Sequence, residues 1–506
     1  MKPGPSGSSV VMAYDSRHQS PGAHRERSGA DGNAVSSLKF GTSGLRGLVT
    51  DLSGRQSYRY ACAFFRSVPA GAGGRTVVIG RDLRDSSAGI AATVAAAAAA
   101  CDFEAIDCGA LPTPALALEA MRRGAHAVMV TGSHIPEDRN GLKFYRPDGE
   151  ITKADEAAIL AALEGVADAD PAPASGAPAT VEPDALARYR QRYGEAFAPD
   201  ILKGLRVAVY QQSSVARDLL TDLLGQFGAE AVPIGWSQRF VPIDTEAHRP
   251  EDIAFIRDAM ASGAFDALVT TDGDADRPLI ADGDGRIVRG DVLGLITARF
   301  LGVDAVVVPV TAGSALEQSG GFGRVVRTKV GSPFVIAGME QAIGAGARSV
   351  VGFEANGGFL LGSDVTIGGK ALPALPTRDA MLPILATLAA ARAAGTSLAE
   401  LVRSLDAGAM ASDRLPNTPS ERSGAFLDRL RDEEFRRIFL RPLGMPGSVD
   451  QQDGIRIELD GGRTIHFRAS GNAPELRCYA EAKSEPEAQE LVRWGLNAAT
   501  AAMSAV

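Results

Sequence analysis

Cysteine is scarce in this sequence, and long apolar runs are missing. The four cysteines, at positions 62, 101, 108 and 478, form no CxxC pair and are too few to make a disulfide framework for 506 residues. We therefore expect a reducing, cytoplasmic environment. No stretch reaches the roughly 18 to 20 uncharged apolar residues that span a bilayer, so no membrane partner is expected. Residues 1–36 also lack the apolar core of a secretory signal and are interpreted as a disordered extension.

Positive charge is also in short supply. The formal net charge is −9. A nucleic-acid partner normally requires a basic face whose lysines and arginines replace the counterions of the phosphates, so we expect none. A small anionic substrate is compatible with this charge, because a few local arginines can override the global sign.

The length of the chain indicates several domains. Hydrophobic residues make up 45% of the sequence, the usual globular share, and a single core stops growing at about 250 to 300 residues. The Pro/Ala-rich segment 167–179 has the composition of an extended connection. Together with the repeated strand and helix spacing, it predicts four domains at 37–180, 181–290, 291–404 and 405–506.

Short apolar runs alternate with longer Ala- and Leu-rich stretches. The runs are continuously apolar, which is typical of strands buried on both faces, and stretches such as Ser87–Ala100 and Met381–Ala394 suit crossover helices. The predicted class is α/β. Near the end, Ile455–Leu459 and 464–467 flank a Gly-Gly turn, so the last domain is predicted to be α+β. The other predicted strands are 76–79, 127–130, 205–209, 267–269, 305–310 and 349–351.

Polar, glycine-bearing loops directly follow four predicted strands. In open α/β sheets, ligands bind at the carboxyl ends of the strands. If each domain offers one such loop to a shared cleft, the loops together supply an acceptor, a metal site, a sugar-binding site and a phosphate anchor. The loops are 131–136, 272–277, 352–359 and 468–474.

The first two loops carry reactive chemistry. Ser133 lies in a tight Gly-Ser-His-Ile-Pro turn, although an isolated serine of this kind is more often a turn or capping residue. Asp272, Asp274 and Asp276 alternate with small residues, a pattern that suits Mg²⁺. A calcium loop of the EF-hand type would need a glutamate where Gly283 stands.

An arginine and the other two loops complete the set of candidate site residues. An arginine after the last aspartate would hold a phosphate beside the metal, or serve only as a salt-bridge partner. The third loop is suited to sugar hydroxyls or is a plain surface turn, and the fourth is a phosphate nest or a hairpin end. The candidates are Arg277; Glu354 and Asn356; and Arg468, Ser470, Gly471, Asn472 and Arg477.

These four loops, in this order, resemble those of the α-D-phosphohexomutase (phosphomannomutase/phosphoglucomutase) family from about Lys39 to about Ala482. The resemblance implies three similar α/β domains with mixed sheets and a C-terminal α+β domain, arranged around a central cleft. Residues 40–47 (FGTSGLRG) resemble the N-terminal signature of the family, which brings Arg46 into the site. Asn140, Gly141 and Lys143 resemble its Asn-Gly-x-Lys motif, which makes Lys143 an acid/base candidate.

The loop motifs match the family to different degrees. The serine loop usually reads Thr-Ala-Ser-His-Asn-Pro, so Gly132 and Ile135 depart from it while Ser133 and His134 match. The metal loop matches Asp-Gly-Asp-x-Asp-Arg throughout, and Ser133 joins its aspartates as a metal ligand. Asn356 stands where relatives carry serine in the sugar loop, and Asn472 replaces a threonine in the phosphate loop. Residues 328–332 resemble a further substrate loop more loosely, and contribute Lys329 and Gly331.

The activity implied by the resemblance is that of a phosphomannomutase, which interconverts mannose 6-phosphate and mannose 1-phosphate. Phosphorylated Ser133 and a hexose 1,6-bisphosphate carry the phosphoryl group, with Mg²⁺ as cofactor and the bisphosphate as primer. A monomer or homodimer with a hexose phosphate substrate is expected. Alternatives are a phosphoglucomutase or dual-specificity enzyme, a phosphoglucosamine mutase, a Mg²⁺-dependent phosphatase, and a catalytically silent sugar-phosphate-binding homologue.

Overall fold

The chain forms two compact units, Met1–Ile287 and Val288–Val506. The computed structural model describes residues 36–41, 44–166, 179–318, 321–470 and 474–504. Apart from their last residues, the predicted extension (1–36) and connection (167–179) lie outside the described residues, so these two interpretations stay predictions.

The first unit begins with a mixed eight-stranded sheet. Its order is β1-β2-β6-β5-β3-β4-β8, with β7 on β6; β3, β4 and β5 run parallel, and β6 runs antiparallel to β5 and β2. The strands are β1 (Lys39–Phe40), β2 (Gly44–Leu48), β3 (Thr76–Arg81), β4 (Glu104–Ala110), β5 (His126–Val130), β6 (Arg139–Arg146), β7 (Gly149–Glu150) and β8 (Thr180–Val181). The helices are α1 (Val49–Leu52), α2 (Arg55–Ser67), α3 (Ser87–Ala100), α4 (Thr113–Arg123), α5 (Lys153–Leu163) and α6 (Ala185–Ala196).

A second, four-stranded sheet completes the first unit. Its order is β10-β9-β11-β12, with only the last pair antiparallel, so the aspartate loop joins two neighbouring strands. The strands are β9 (Arg206–Gln212), β10 (Glu230–Trp236), β11 (Ala267–Thr271) and β12 (Pro278–Asp282), and the helices are α7 (Arg217–Gln226) and α8 (Pro250–Met260).

The second unit opens with a mixed five-stranded sheet of order β14-β13-β15-β16-β19 and a separate β17-β18 pair. Every residue of β13 and β15 is buried, as their valine-rich sequences predict. The strands are β13 (Ala305–Pro309), β14 (Arg324–Thr328), β15 (Val350–Phe353), β16 (Phe359–Leu361), β17 (Val365–Ile367), β18 (Lys370–Leu372) and β19 (Leu375–Asp379). The helices are α9 (Gly290–Leu301), α10 (Ala315–Gln318), α11 (Ser332–Gly344), α12 (Met381–Ala394) and α13 (Leu398–Ser404).

The chain ends with a five-stranded antiparallel sheet of order β20-β24-β23-β22-β21. Buried side chains of α14 and α16, including Phe426 and Leu491, share a core with Phe467 and Cys478 of this sheet. The strands are β20 (Ala409–Leu415), β21 (Pro446–Asp450), β22 (Ile455–Leu459), β23 (Arg463–Ala469) and β24 (Leu476–Ala482). The helices are α14 (Ser420–Arg431), α15 (Glu433–Leu440) and α16 (Glu485–Ser504).

The predicted fold class is confirmed. Three mixed sheets with helices precede an α+β domain, and each of the six predicted internal strands overlaps an observed one. The predicted hairpin is β22–β23, with both turn glycines at positive φ. Among the described residues no single helix is long and apolar enough to cross a membrane; the pair α12 and α13, bent by 88°, passes on length and composition alone.

Candidate active site

The predicted acceptor serine lies in a constrained turn immediately after β5. Ser133 is fully buried, and its backbone φ of 54° is one that residues other than glycine rarely adopt. Its N–H donates to Thr131 Oγ1 over 2.7 Å, and its carbonyl accepts from Arg84 Nη2 over 3.0 Å. Such a conformation costs about 1 to 3 kcal/mol and persists only where the surroundings fix it, which these contacts do.

The Ser133 hydroxyl contacts the aspartate loop directly. Ser133 Oγ donates to Asp272 Oδ2 over 2.5 Å and lies 3.2 Å from His134 Nδ1. The two residues are 139 positions apart in the sequence and come from different sheets of the first unit. A hydroxyl on one strand end and a carboxylate on another therefore share one buried site.

The three aspartates form a compact group of ligand oxygens. Asp272, Asp274 and Asp276 are buried, and one oxygen from each lies within 4.8 Å of the others. Burial, together with the charges of Asp274 and Asp276, raises the pKa of Asp272 well above its ordinary value. Ala275, at a φ of 56°, turns the loop between them. Buried carboxylates at this density are characteristically paired with cationic groups or bound to metal ions.

Lys143 supplies part of that positive charge. From β6, its Nζ donates to Asp274 Oδ2 and to Asp276 Oδ2, each over 2.6 Å. Thr113 Oγ1 also donates to Asp274 Oδ2, whereas Asp274 Oδ1 is buried and has no hydrogen-bond partner among the described residues. A buried carboxylate oxygen beside two other aspartates is the kind of ligand that a hard divalent cation takes. The residues present therefore fit a divalent cation.

His134 is a neutral acceptor in this site. Arg277 Nη1 lies 3.0 Å from His134 Nδ1, so the guanidinium donates and the ring nitrogen accepts. Burial first, and then the charges of Arg277 and Arg46, lower the pKa of His134 to about 2. Arg46 lies on β2, opposite Gly141 of β6. The fold thus brings both predicted arginines close to the serine loop.

A buried ion pair that the sequence interpretation missed supports the serine loop. Arg84 donates to the carbonyls of Ser133, Ile135, Pro136 and Arg139 over 2.5 to 3.0 Å. Asp82 Oδ2 accepts from Arg84 Nε, from the Thr131 hydroxyl and from the Gly132 N–H. The signal was available, because the segment 82–84 also follows a buried strand end, that of β3.

Replacing Arg84 with lysine is expected to lower the free energy of unfolding by about 2 to 4 kcal/mol, because one ammonium cannot reach four carbonyls and leaves buried acceptors unpaired. Chemical denaturation measures this change. The matched control is Arg81→Lys, since the Arg81 side chain makes a partly exposed ion pair with Asp107 at 3.4 Å. The change in this control should stay within about 1 kcal/mol. Equal losses in the two variants would contradict the supporting role of Arg84.

In the second unit, the predicted sugar-loop residues lie together after β15. Glu354 and Asn356 are each 6% exposed. Asn356 Oδ1 accepts from the Gly358 N–H over 2.9 Å, and Arg378 Nη1 lies 3.5 Å from Glu354 Oε1. That Glu354 oxygen makes no hydrogen bond within the described part of the chain. Arg378, on β19, was not predicted; it forms a buried ion pair with Glu354.

Residues 328–332, which resemble a family substrate loop more loosely, connect β14 to α11. Gly331 precedes the first turn of α11 with a φ of 127°, in the range that favours glycine. Lys329 is exposed, and its Nζ lies 5.9 Å from the centre of the Phe334 ring. Its position on an accessible loop is compatible with binding an anionic ligand.

The predicted phosphate-site arginines form part of a row across the last sheet. Arg468 on β23 lies opposite Arg477 on β24, which in turn lies opposite Arg414 on β20. Like charges directly opposite one another destabilise a sheet, so this row requires anions. Glu475 pairs with Arg477 at 2.7 Å and Asp453 with Arg468 at 2.8 Å. The three arginines lie on β20, β24 and β23, and these carboxylates balance their charge.

The remaining phosphate-loop predictions are only partly located. The Ser470 N–H donates to the Glu475 carbonyl over 3.0 Å, which closes the loop between β23 and β24. Gly471 and Asn472 lie outside the described residues. Their predicted contacts with phosphate stay predictions.

Family models and individual relatives match most of the chain. Models of phosphoglucomutase/phosphomannomutase match with alpha/beta/alpha domain I at residues 37–169, alpha/beta/alpha domain III at 289–407, and the C-terminal domain at 422–493. A phosphomannomutase of Sinorhizobium fredii is 48% identical over 465 residues, covering 90% of this chain and 98% of the relative. A phosphomannomutase of Salmonella muenchen is 43% identical over 462 residues, covering 90% and 94%.

The fold also matches a solved structure. A phosphoglucomutase/phosphomannomutase family protein from Burkholderia thailandensis aligns with a TM-score of 0.72 at 21% sequence identity, covering 91% of this chain and 97% of that chain. This likeness supports the fold alone, whereas the sequence matches extend over both units.

Proposed function

The chain belongs to the phosphoglucomutase/phosphomannomutase family of phosphotransferring isomerases, and we propose that its reaction interconverts mannose 6-phosphate and mannose 1-phosphate. The choice of mannose follows the two relatives above, both of them phosphomannomutases. The observation that carries the proposal is the buried contact between Ser133 Oγ and Asp272 Oδ2. The contact supports the proposal because the constrained hydroxyl lies against one of the proposed cation ligands, as an acceptor of phosphoryl groups requires.

Ser133 is the proposed phosphoryl carrier. In the first half-reaction the Oγ–P bond breaks, a bond from phosphorus to the free hydroxyl of the hexose monophosphate forms, and a hexose 1,6-bisphosphate results. In the second, the other phosphate of the bisphosphate returns to Ser133. A divalent cation, proposed to be Mg²⁺, bound by Asp272, Asp274 and Asp276 would supply positive charge to the phosphoryl oxygens. Arg277 and Arg46 would add fixed positive charge beside them.

Lys143 is the proposed acid/base group. The sugar hydroxyl loses its proton as its oxygen bonds to phosphorus, and the leaving Ser133 oxygen needs a proton unless it is rephosphorylated. Lys143 Nζ donates to Asp274 and Asp276, and this position in the aspartate group supports its assignment to that proton exchange. His134, a neutral acceptor of the Arg277 N–H, would orient that guanidinium rather than transfer a proton.

The second unit supplies the proposed recognition of sugar and phosphate. Glu354 and Asn356 would read the hydroxyls at C3 and C4, which mannose and glucose share, since the two sugars differ at C2. Because neither residue distinguishes the sugars by this contact, dual use of glucose phosphates is the second candidate. Lys329, Gly331, Arg468, Ser470 and Arg477, with Gly471 and Asn472, would hold the phosphate that does not react.

A primed coupled assay tests the proposal. We expect turnover of mannose 1-phosphate with the highest kcat/KM, weaker turnover of glucose 1-phosphate, and least with glucosamine 1-phosphate. Pre-incubation with a hexose 1,6-bisphosphate should add the mass of one phosphoryl group to the intact protein, mapped to Ser133. Release of inorganic phosphate without a primer would instead indicate a phosphatase, and sugar-phosphate binding without turnover would indicate a silent homologue.

A further inference from the structure

One acidic side chain of the second unit connects two of the proposed recognition elements. Asp453 lies in the turn between β21 and β22, and its Oδ2 accepts from the Val330 N–H over 2.9 Å. Arg468 Nε lies 2.8 Å from the same oxygen. A single carboxylate oxygen therefore meets both the substrate-loop backbone, 123 positions away in the sequence, and the predicted phosphate arginine.

The backbone around Asp453 packs closely against β23. Gly454 has a φ of 86°, and a Cβ there would lie 2.1 Å from the Phe467 carbonyl oxygen and 3.0 Å from Arg468 Cα, so the turn packs directly on β23. His466 Nε2 lies 2.7 Å from the Asp453 carbonyl oxygen. Burial lowers the pKa of His466 to about 4, so the neutral ring donates its Nε2–H to that carbonyl. The main chain that carries the Asp453 carboxylate is thus held against β23.

We propose that Asp453 is a positioning residue for phosphate recognition, which fixes the Arg468 guanidinium and the 328–332 loop against one another. The inference rests on the function proposed above, and it names a residue outside the predicted site. Arg468 Nε and the Asp453 carboxylate form an ion pair at 2.8 Å without an aligned hydrogen bond. This pairing keeps the guanidinium beside the 328–332 loop, where its nitrogens can bind a phosphate. An arginine held in this orientation loses less side-chain entropy when the phosphate arrives.

The direction in which Asp453→Asn changes the affinity for phosphate distinguishes a positioning role from simple electrostatics. Asp453 is negative and would repel a nearby phosphate, so removing its charge should tighten phosphate binding if charge alone decides. If Asp453 acts by orienting Arg468 and the loop, removing its charge should weaken binding although the site becomes more positive. The isosteric change Asp453→Asn distinguishes these outcomes.

Binding of mannose 1-phosphate, measured by calorimetry in a Ser133→Ala background, tests the proposal without turnover. We expect Asp453→Asn to raise Kd about tenfold. The matched control is Asp450→Asn, because Asp450 lies three positions away and its side chain accepts only from the nearby Gln452 N–H among the contacts described; its Kd should stay within twofold. In an Arg468→Ala background, Asp453→Asn should add less than a twofold loss, because the residue acts through Arg468.

Kinetics of the intact enzyme give an independent readout. Asp453→Asn should raise KM about tenfold and leave kcat within about threefold, whereas a merely structural defect would lower kcat and thermal stability together. An unchanged or lower Kd, a loss confined to kcat, or an additive loss in the Arg468→Ala background would overturn the inference. If the wild type turns over no hexose phosphate, the proposed function fails; if the wild type is active and Asp453→Asn has a wild-type KM, only the inference fails. Absence of binding by the Ser133→Ala parent would overturn both.

Discussion

Replacing Ser133 with alanine is expected to lower mutase turnover by roughly 10⁴-fold or more, because the phosphoryl group then has no covalent carrier. The hydroxyl is buried and donates to Asp272. The measurement is kcat in the primed mannose 1-phosphate assay. Intact-mass analysis of the same samples should show that the variant takes up no phosphoryl group from hexose 1,6-bisphosphate.

A second buried serine of the first unit provides the control for this loss. Ser214 shares a 2.7 Å hydrogen bond with Thr271, the residue before Asp272, so it is similarly buried and close to the aspartate loop. Ser214→Ala should keep turnover within about tenfold of the wild type. A Ser133→Ala variant with more than a tenth of wild-type turnover, or phosphorylation mapped to another residue, would contradict the assignment of Ser133 as carrier.

The strand ends that carry the candidate site were predictable, because the residues that mark them are neighbours in the sequence. The runs at 127–130 and 267–269 are apolar on both faces, and polar loops with glycine follow them directly. β5 and β11 lie at these positions, and both loops meet in the first unit. The helices Ser87–Ala100 and Met381–Ala394 follow from Ala- and Leu-rich sequence. Gly89 and Pro383 lie in their first turns, where a helix tolerates them.

The supporting residues were harder to find, because their partners are distant in sequence. Arg84 reaches carbonyls 49 to 55 positions away, and the Val330 N–H finds Asp453 123 positions away. Carbonyl and N–H partners carry no signature in the side-chain sequence, so no local pattern predicts these contacts. The antiparallel strands β16 to β19, which are 3 to 5 residues long, were also not predicted.

Lys143 offers a test in which activity and metal affinity should move in opposite directions. Its ammonium lies 2.6 Å from both Asp274 Oδ2 and Asp276 Oδ2 in the buried aspartate group. Replacing it with methionine keeps much of the side-chain volume and removes the charge. Turnover should fall by about 10²- to 10⁴-fold, because the proposed proton exchange is lost.

The same Lys143→Met change should tighten binding of a divalent cation by roughly tenfold, because the positive charge that competes for Asp274 and Asp276 is gone. Without added metal, the variant should be less stable by about 3 to 5 kcal/mol, since three buried aspartates lose a counter-charge. Titration with Mg²⁺ should therefore raise its melting temperature more than that of the wild type, whereas a chelator should lower it. The readout by thermal unfolding does not depend on turnover.

A second lysine of the first unit provides the control for Lys143→Met. Lys153, exposed on α5 and paired with Glu156 at 2.6 Å, is the matched lysine of the same unit, and Lys153→Met should leave turnover, Mg²⁺ affinity and stability close to wild type. If Lys143→Met bound Mg²⁺ more weakly than the wild type, the ammonium would be assisting the cation rather than competing with it. Lys143 would then belong to the support of the metal site, and the proton exchange would have to be assigned to another group.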